Sequence, residues 1–254
     1  SKSFCRRDAE GAEKGGAALR AGMIHPGHFF PPRSLRLCGK NSYMNSASKP
    51  IRPIRSFVRR EGRMTPAQAR ALEELWPRFG IEPGETPIDF SAVFGRRVPV
   101  VLEIGFGNGN ALAALAAQQP QNNYLGIEVH RPGVGHLLRR LYGENLTNVR
   151  VLCADAKEVL AHNIPDASLA AVYLLFPDPW PKQRHHKRRL VQPEFIELVR
   201  RKLKLGGVLH LATDWQDYAE HMQAVLGASS GFAPAPAGLR PDTKYEARGR
   251  RLGH

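Results

Sequence analysis

The sequence is poor in cysteine: its 254 residues contain only Cys5, Cys38 and Cys153, whose spacing fits neither a metal site nor a disulfide framework. It has no run of about 18 apolar residues that would span a membrane, and its amino terminus has no signal-peptide core. These absences argue against a secreted disulfide-rich domain and a membrane protein, and they predict a soluble cytoplasmic protein. The side chains of adjacent His185 and His186 point apart and have no suitably spaced third ligand, so no metal is predicted.

Acidic residues are scarce toward both ends of the chain, where the net charge of +14 is concentrated. Residues 1–63 contain 14 Lys and Arg against 4 Asp and Glu, and residues 182–254 contain 14 against 7. Residues 64–181 contain 9 against 12. Basic flanks around a slightly acidic centre predict a nucleic-acid surface beside a site for a neutral or cationic ligand. A basic tail with solvated helix faces is the alternative.

The chain divides into three predicted regions. Residues 1–48, rich in Gly, Ala, Ser and Arg without periodicity, are expected to be a disordered extension, with the natural start near Met44. Residues 49–97 comprise a basic arm and a helix that begins after Thr65 and packs on the main domain through one apolar face. The apolar face of that helix consists of Ala69, Leu72, Leu75 and Trp76. Residues 98–254 form the main domain.

Strand and helix patterns alternate along the main domain, which predicts an α/β fold with a doubly wound, mostly parallel sheet. Gly206 and Gly207 are expected to close the helix that starts at Pro193, and Asp214 is expected to cap the last helix. Residues 227–241 are expected to be a loop or a weak strand. Predicted strands cover residues 98–104, 124–129, 149–153, 170–176 and 208–213, and predicted helices cover residues 110–118, 132–142, 156–161, 193–203 and 214–226.

A glycine-rich turn follows the first of these strands, with Glu103 ahead of Gly105, Gly107 and Gly109. Glycines permit positive φ and a close approach of the backbone to a ligand. A dinucleotide fingerprint needs its third glycine at position 110, which is Asn110 here. Glu103 would repel a pyrophosphate but attract a cationic sulfonium that carries an amino-acid group. The motif therefore favours S-adenosylmethionine over a nicotinamide cofactor.

Carboxylates end four successive predicted strands. Glu128 can accept hydrogen bonds from both ribose hydroxyls of a bound adenosine, and Asp155 is placed for the exocyclic amine of its base. Each acid alone fits a helix cap or a solvated position equally well. Four acids at the carboxyl ends of parallel strands are a rarer coincidence, and they predict a cofactor site at that edge. The four are Glu103, Glu128, Asp155 and Asp178.

The fourth acid, Asp178, lies on a stiff loop, because the three prolines within residues 177–181 cannot continue a strand. Trp180 shares this loop, and five positive charges follow within residues 182–189. An acid, an aromatic ring and phosphate-seeking side chains at one strand end indicate chemistry on a nucleic-acid base.

These motifs closely resemble those of the bacterial tRNA (guanine-N7)-methyltransferases, Rossmann-like class I enzymes that act on guanosine 46 in the variable loop. The resemblance covers about residues 51–254. It implies transfer of a methyl group from S-adenosylmethionine to guanine N7 by a protein that binds tRNA. The matching stretches are residues 55–60, 102–107, 126–130, 176–180, 187–189, 212–215 and 243–246.

The resemblance also implies site residues, position by position. Cofactor contacts are implied for Glu103, Glu128, Asp155 and Asp178, to which the glycine turn adds Gly105 and Gly107. Substrate contacts are implied for Lys182, Asp214, Thr243, Lys244, Tyr245 and Glu246. RNA contacts are implied for Arg184, His185, His186, Lys187, Arg188 and Arg189.

The chemistry of guanine N7 agrees with such a site. N7 carries a free lone pair, so its attack on a sulfonium methyl group needs no prior deprotonation. The site must place N7 in line with the methyl group and stabilise the positive charge that develops on the base. Asp178 is the expected catalytic carboxylate, with Asp214 the second choice. Glu246 can accept from guanine N1–H and the N2 amino group, and Trp180 is expected either to stack on the base or to brace the loop.

Family members continue beyond the segment that ends here at His254 and form one more strand, so the sheet is expected to lack its final strand. Such a gap would expose a sheet edge near residues 243–246. Two rival functions remain open: a methyltransferase fold that acts on another base, and an RNA-binding protein without catalysis. The sequence is compatible with a monomer or a homodimer.

Overall fold

A seven-stranded sheet organises residues 2–7, 56–57 and 62–236, the part of the chain that the computed structural model describes. In chain order the strands are β1 (Lys2–Arg6), β2 (Val100–Ile104), β3 (Asn123–Ile127), β4 (Val149–Leu152), β5 (Leu169–Leu175), β6 (Leu203–Ala212) and β7 (Phe232–Ala235). Their order across the sheet is β4-β3-β2-β5-β6-β1-β7. The five strands from β4 to β6 are parallel, whereas β1 runs antiparallel to both of its neighbours. The predicted α/β fold is confirmed.

Helices cover both faces of this sheet. They are α1 (Pro66–Glu74), α2 (Trp76–Phe79), α3 (Phe90–Phe94), α4 (Asn110–Gln118), α5 (Arg131–Gly143), α6 (Ala156–His162), α7 (Pro193–Lys202) and α8 (Gln216–Gly227), with a 3-10 helix at Gln183–Arg188. One apolar cluster joins α6, α7 and α8 to the sheet, and a second joins α1, α4 and α5 to the opposite face. The core is divided in two because successive side chains of a strand point to opposite faces of the sheet. In β2, Val100 and Leu102 belong to the first cluster and Val101 belongs to the second.

The helix predicted after Thr65 is present and has a capping box. The Thr65 hydroxyl accepts a hydrogen bond from the backbone N–H of Gln68, whose side chain accepts one from the N–H of Thr65. One detail of the prediction was wrong, because Ala71 is buried while Ala69 is exposed. Pro77 lies in the first turn of α2, a position that tolerates proline because that N–H needs no intrahelical partner.

Two predicted boundaries in the second half of the chain were also wrong. Strand β6 begins at Leu203, immediately after α7, so the glycine pair does not close that helix; Gly206 lies within the strand at a φ of 75°. Asp214 does not cap α8, because the chain stays extended for one more residue and Trp215 occupies the N-cap position.

Strand β1 changes the expectation for the amino-terminal region. The Ser3 hydroxyl lies 2.8 Å from Nδ1 of His210 on β6, and Phe4 packs against the first apolar cluster. Residues 2–6 are therefore an ordered strand rather than part of a disordered extension. They also occupy a place between β6 and β7, so the expected gap in the sheet is not seen. The rest of the predicted extension, from residue 8 onward, lies outside the described residues. Within the described ranges, no helix is long and apolar enough to cross a membrane.

Candidate active site

A cleft of about 580 Å³ opens at the carboxyl ends of the parallel strands. This is the edge where ligands bind in open α/β sheets. Its walls are the glycine turn after β2, the ends of β3 and β4, and residues 176–181, here called the proline loop. Ser56 and Phe57 from the basic arm also line it. Their place in the cleft was not predicted from the sequence.

The glycine turn has the backbone conformation that its sequence predicts. Gly105, Gly107 and Gly109 have φ values of 70°, 59° and 73°, in the left-handed region that side chains with a Cβ rarely adopt. Gly109 has a further constraint, because a Cβ there would lie 2.6 Å from Cδ1 of Leu137 on α5. The turn thus passes close to α5 on one side and lines the cleft through Gly105 and Gly107 on the other.

Glu103 is buried beneath this turn, with 3% of its surface exposed. It does not line the cleft itself but precedes Ile104 and Gly105, which do. Burial, with a smaller contribution from the charge of Glu128, raises the pKa of the Glu103 carboxyl to about 8. Its Oε2 has no hydrogen-bond partner among the described residues. A buried, unpartnered carboxyl oxygen beside a cleft is a candidate for contact with a polar ligand.

Glu128 lines the cleft and holds the backbone around it. Its carboxylate accepts hydrogen bonds from the N–H groups of Gly107 at 2.8 Å, Val129 at 2.7 Å and His130 at 2.9 Å. The bond to Gly107 ties the end of β3 to the glycine turn, a role that the sequence did not suggest. These bonds use three of about four acceptor positions on the carboxylate, so accepting two ribose hydroxyls requires Glu128 to release part of this network.

Asp155 caps a helix and also lies at the cleft. Its side chain accepts a hydrogen bond from the N–H of Lys157 at 2.9 Å and so caps α6. The same residue also lines the cleft.

The proline loop places Asp178 in the wall of the cleft with its side chain exposed. Phe176 and Trp180 have φ values of 52° and 46°, which are unfavourable for side chains of this size. Trp180 donates a hydrogen bond from Nε1 to the carbonyl of Ser56 at 3.2 Å, and the guanidinium of Arg188 lies 5.0 Å from the centre of its ring. In this structure Trp180 therefore braces the loop against the basic arm.

The predicted RNA-binding residues differ sharply in exposure. Arg184 and Lys187 are exposed and Arg188 is partly exposed, whereas only 1% of Arg189 is exposed. The buried Arg189 guanidinium forms an ion pair with the exposed side chain of Asp217. The prediction that Arg189 contacts RNA is therefore wrong for this conformation. The sequence could not separate it from its neighbours, because a 3-10 helix turns successive side chains in different directions.

Other predicted residues lie apart from the cleft or beyond the described ranges. Lys182 and Asp214 are exposed and do not line the cleft, although Lys182 directly follows the proline loop, which does. Thr243, Lys244, Tyr245 and Glu246 lie outside the described residues. Within the described ranges, no three His, Cys, Asp or Glu side chains are grouped to hold a metal.

The glycine turn, the strand-end acids and the cleft between them form a ligand site of the α/β type, at the carboxyl ends of parallel strands. A family described as "Putative methyltransferase" matches residues 97–254. A tRNA (guanine-N(7)-)-methyltransferase of Alkalilimnicola ehrlichii is 61% identical over 212 residues, which cover 80% of this chain and 90% of that protein. A protein of the same name from Nitrosococcus oceani is 57% identical over 207 residues, covering 80% of this chain and 88% of that protein. The chain belongs to the family of tRNA (guanine-N7)-methyltransferases.

Proposed function

We propose that the protein transfers a methyl group from S-adenosylmethionine to N7 of guanosine 46 in the variable loop of tRNA. The observation that carries the activity is the 61% identity, over 80% of the chain, to a tRNA (guanine-N(7)-)-methyltransferase. The identity of the cofactor, the modified position and the roles of individual residues are finer parts of the proposal.

The cleft suits an adenosine joined to a charged amino-acid group. The unpartnered Oε2 of Glu103 is an acceptor for the ammonium of such a ligand, and the glycine turn permits its close approach. Glu128 and Asp155 line the wall where the ribose and the base would lie. When bound, S-adenosylmethionine supplies an electrophilic methyl group on sulfur.

Asp178 is the proposed catalytic carboxylate. It lies in the cleft wall on a loop whose unusual backbone is held by contacts at Ser56 and Ala212. Guanine becomes cationic as its N7 accepts the methyl group, so a fixed carboxylate stabilises the transition state more than the neutral substrate. No proton has to leave N7, and the described residues need only orient the base and supply this charge.

The exposed part of the basic run is the proposed tRNA surface. Arg184, Lys187 and Arg188 lie on the 3-10 helix that follows the proline loop. Phosphate contacts at these side chains would bring the variable loop to the cleft without reading its sequence. Recognition of guanine itself is proposed for the segment 243–246.

The direct test is incubation with isotopically labelled S-adenosylmethionine and an unmodified tRNA transcript, followed by nucleoside analysis. The expected product is labelled 7-methylguanosine, and a transcript with adenosine at position 46 should yield none. Cofactor binding without any product would favour the RNA-binding alternative. A different labelled nucleoside would favour another base as the substrate, and 7-methylguanosine from the adenosine-46 transcript would contradict the assigned position.

A further inference from the structure

Arg189 is a buried cation beside the proposed site, and the chemistry proposed so far does not use it. Its side chain is 1% exposed, while that of its partner Asp217 on α8 is 57% exposed. The planar guanidinium is suited to such a position because several fixed N–H groups can be satisfied at once.

Each side of the guanidinium contacts a different part of the structure. Its Nε donates a hydrogen bond to the carbonyl of Pro179 in the proline loop at 3.0 Å. One terminal nitrogen forms the ion pair with Asp217 and lies 3.1 Å from Nε2 of His186. The central carbon of the guanidinium lies 4.9 Å from the centre of the Tyr218 ring. Arg189 therefore connects the proline loop directly to α8.

The proline loop needs such an anchor. Phe176 and Trp180 both have positive φ, which the surrounding structure must stabilise for bulky side chains. Pro179 lies between Asp178 and Trp180, so a hydrogen bond to its carbonyl fixes the peptide group between Pro179 and Trp180, one residue beyond the proposed catalytic Asp178.

We propose that Arg189, held by Asp217, is a positioning residue that fixes the proline loop so that Asp178 faces the cleft. It acts on the methyl transfer through the loop and does not contact tRNA. This inference rests on the proposed role of Asp178.

The chain contains a matched control for a purely structural role. Lys202 is also a buried cation, with 7% of its side chain exposed, and it pairs with Asp166, whose side chain is 61% exposed. Lys202 ends α7 and has no described hydrogen bond to the proline loop. Lys202→Met therefore removes a similar buried ion pair from a place remote from Asp178.

The test compares Arg189→Lys with Lys202→Met in three measurements: steady-state kinetics, salt dependence of tRNA binding, and amide hydrogen exchange in residues 176–182. The exchangeable positions there are Phe176, Asp178, Trp180 and Lys182, because the other three residues are prolines. Lysine keeps the charge but lacks the rigid fork that reaches Pro179 and Asp217 together. We expect Arg189→Lys to lower kcat about tenfold or more, because small displacements of a catalytic group are costly. The KM for tRNA and the salt slope should stay at wild-type values, and exchange of the loop amides should accelerate. Lys202→Met should change neither kcat nor loop exchange.

Two results would overturn the proposal. A raised KM for tRNA with a shallower salt slope would make Arg189 an RNA contact. Equal losses of kcat in both variants, in proportion to their thermal stability, would leave it a structural residue only. If Arg189→Lys does not fold, Asp217→Asn keeps an acceptor of the same shape and is subject to the same criteria. Turnover by Asp178→Asn separates the two proposals: full activity would remove Asp178 from the mechanism, while loop exchange in Arg189→Lys would still decide whether Arg189 positions the loop.

Discussion

The carbonyl oxygen of Gly107 lies against Gly133 of α5 so closely that a Cβ at position 133 would be 2.2 Å from it. The glycine turn is thus held from both sides, by α5 behind it and by the hydrogen bond to Glu128 in front. Its conformation at the cleft depends on a helix that begins more than 20 residues later in the sequence.

Gly133→Ala should therefore weaken cofactor binding. The added methyl group must push the carbonyl of Gly107 away, which displaces the turn and strains its bond to Glu128. We expect the Kd for S-adenosylmethionine, measured by titration calorimetry, to rise about tenfold or more, since a shift near 1 Å in a positioned group has effects of that size. Gly143→Ala is the control on the same helix, because a Cβ there meets nothing within 4 Å. Equal affinity in both variants would show that the turn tolerates the shift.

Glu103→Gln should change how stability depends on pH. The folded pKa is raised to about 8 from 4.5, so the folded protein retains a proton that the unfolded chain has lost. The contribution of Glu103 to stability is therefore greatest below pH 4.5 and declines as the pH rises toward 8. The variant should lack this decline, which for such a shift is on the order of 3 kcal/mol between pH 5 and pH 8. Urea unfolding of the cofactor-free protein at pH 5 and pH 8 measures it, with exposed Glu85→Gln as the control.

The same Glu103→Gln variant should bind the cofactor less tightly. A neutral amide cannot replace a carboxylate as the partner of an ammonium group, and a hydrogen bond to a charged group contributes about 1.5–3 kcal/mol. We expect the Kd for S-adenosylmethionine to rise about tenfold or more. An unchanged Kd would remove Glu103 from the cofactor site, whatever the outcome of the unfolding experiment.

Asp178→Ala should abolish methyl transfer while tRNA binding is retained. The carboxylate is expected to act on the charge that develops at the base, and removal of one such electrostatic contribution costs about 100-fold or more in kcat. Single-turnover kinetics with prebound tRNA isolate that step. Exposed Asp166 and Glu158 are unsuitable as controls because they pair with Lys202 and His162, so exposed Glu85→Ala serves instead. Wild-type turnover in Asp178→Ala would assign the role to another group, with Asp214 as the next candidate.

Replacing Arg184 and Lys187 together by alanine should weaken tRNA binding and make it less sensitive to salt. Each lost phosphate contact reduces the slope of log K against log salt concentration by about one. The control is Lys204→Ala, an exposed cation near the start of β6 at the opposite edge of the sheet. Filter binding at several salt concentrations gives the slopes, and an unaltered slope in the double variant would take these two residues off the RNA surface.

Phe4→Ala should destabilise the whole domain if β1 is an integral strand. Phe4 pairs with Leu209 of β6 and packs on the first apolar cluster. Its truncation should cost about 2 kcal/mol, because only part of the ring is buried. Lys2→Ala, at an exposed position of the same strand, is the control for loss of a side chain. Identical unfolding midpoints for both variants would contradict a packed β1.

Most of the parallel sheet could be predicted from local patterns. Short apolar runs, glycines after β2 and prolines after β5 are signals within a few residues of the elements they define, so predicted and observed boundaries agree within about three residues for β3, β4 and β5. The strand-end acids followed from the same patterns, because parallel strands place their carboxyl ends at one edge. Strand β1 was missed because its five residues pair with segments about 200 positions away, and no local signal marks such a partner.

The sequence by itself determined the class of this protein, since its glycine turn, acids, prolines and cations lie in local motifs whose chemistry can be recognised residue by residue. Tertiary structure alone decided which of those residues reach the cleft. Burial depends on what packs around a side chain, and so Arg184 and Arg189, five positions apart in one basic run, have opposite surroundings. Packing also gives the two glutamates different surroundings. Glu128 accepts a hydrogen bond from the glycine turn, whereas Glu103 is buried beneath that turn and its Oε2 has no partner in the described structure.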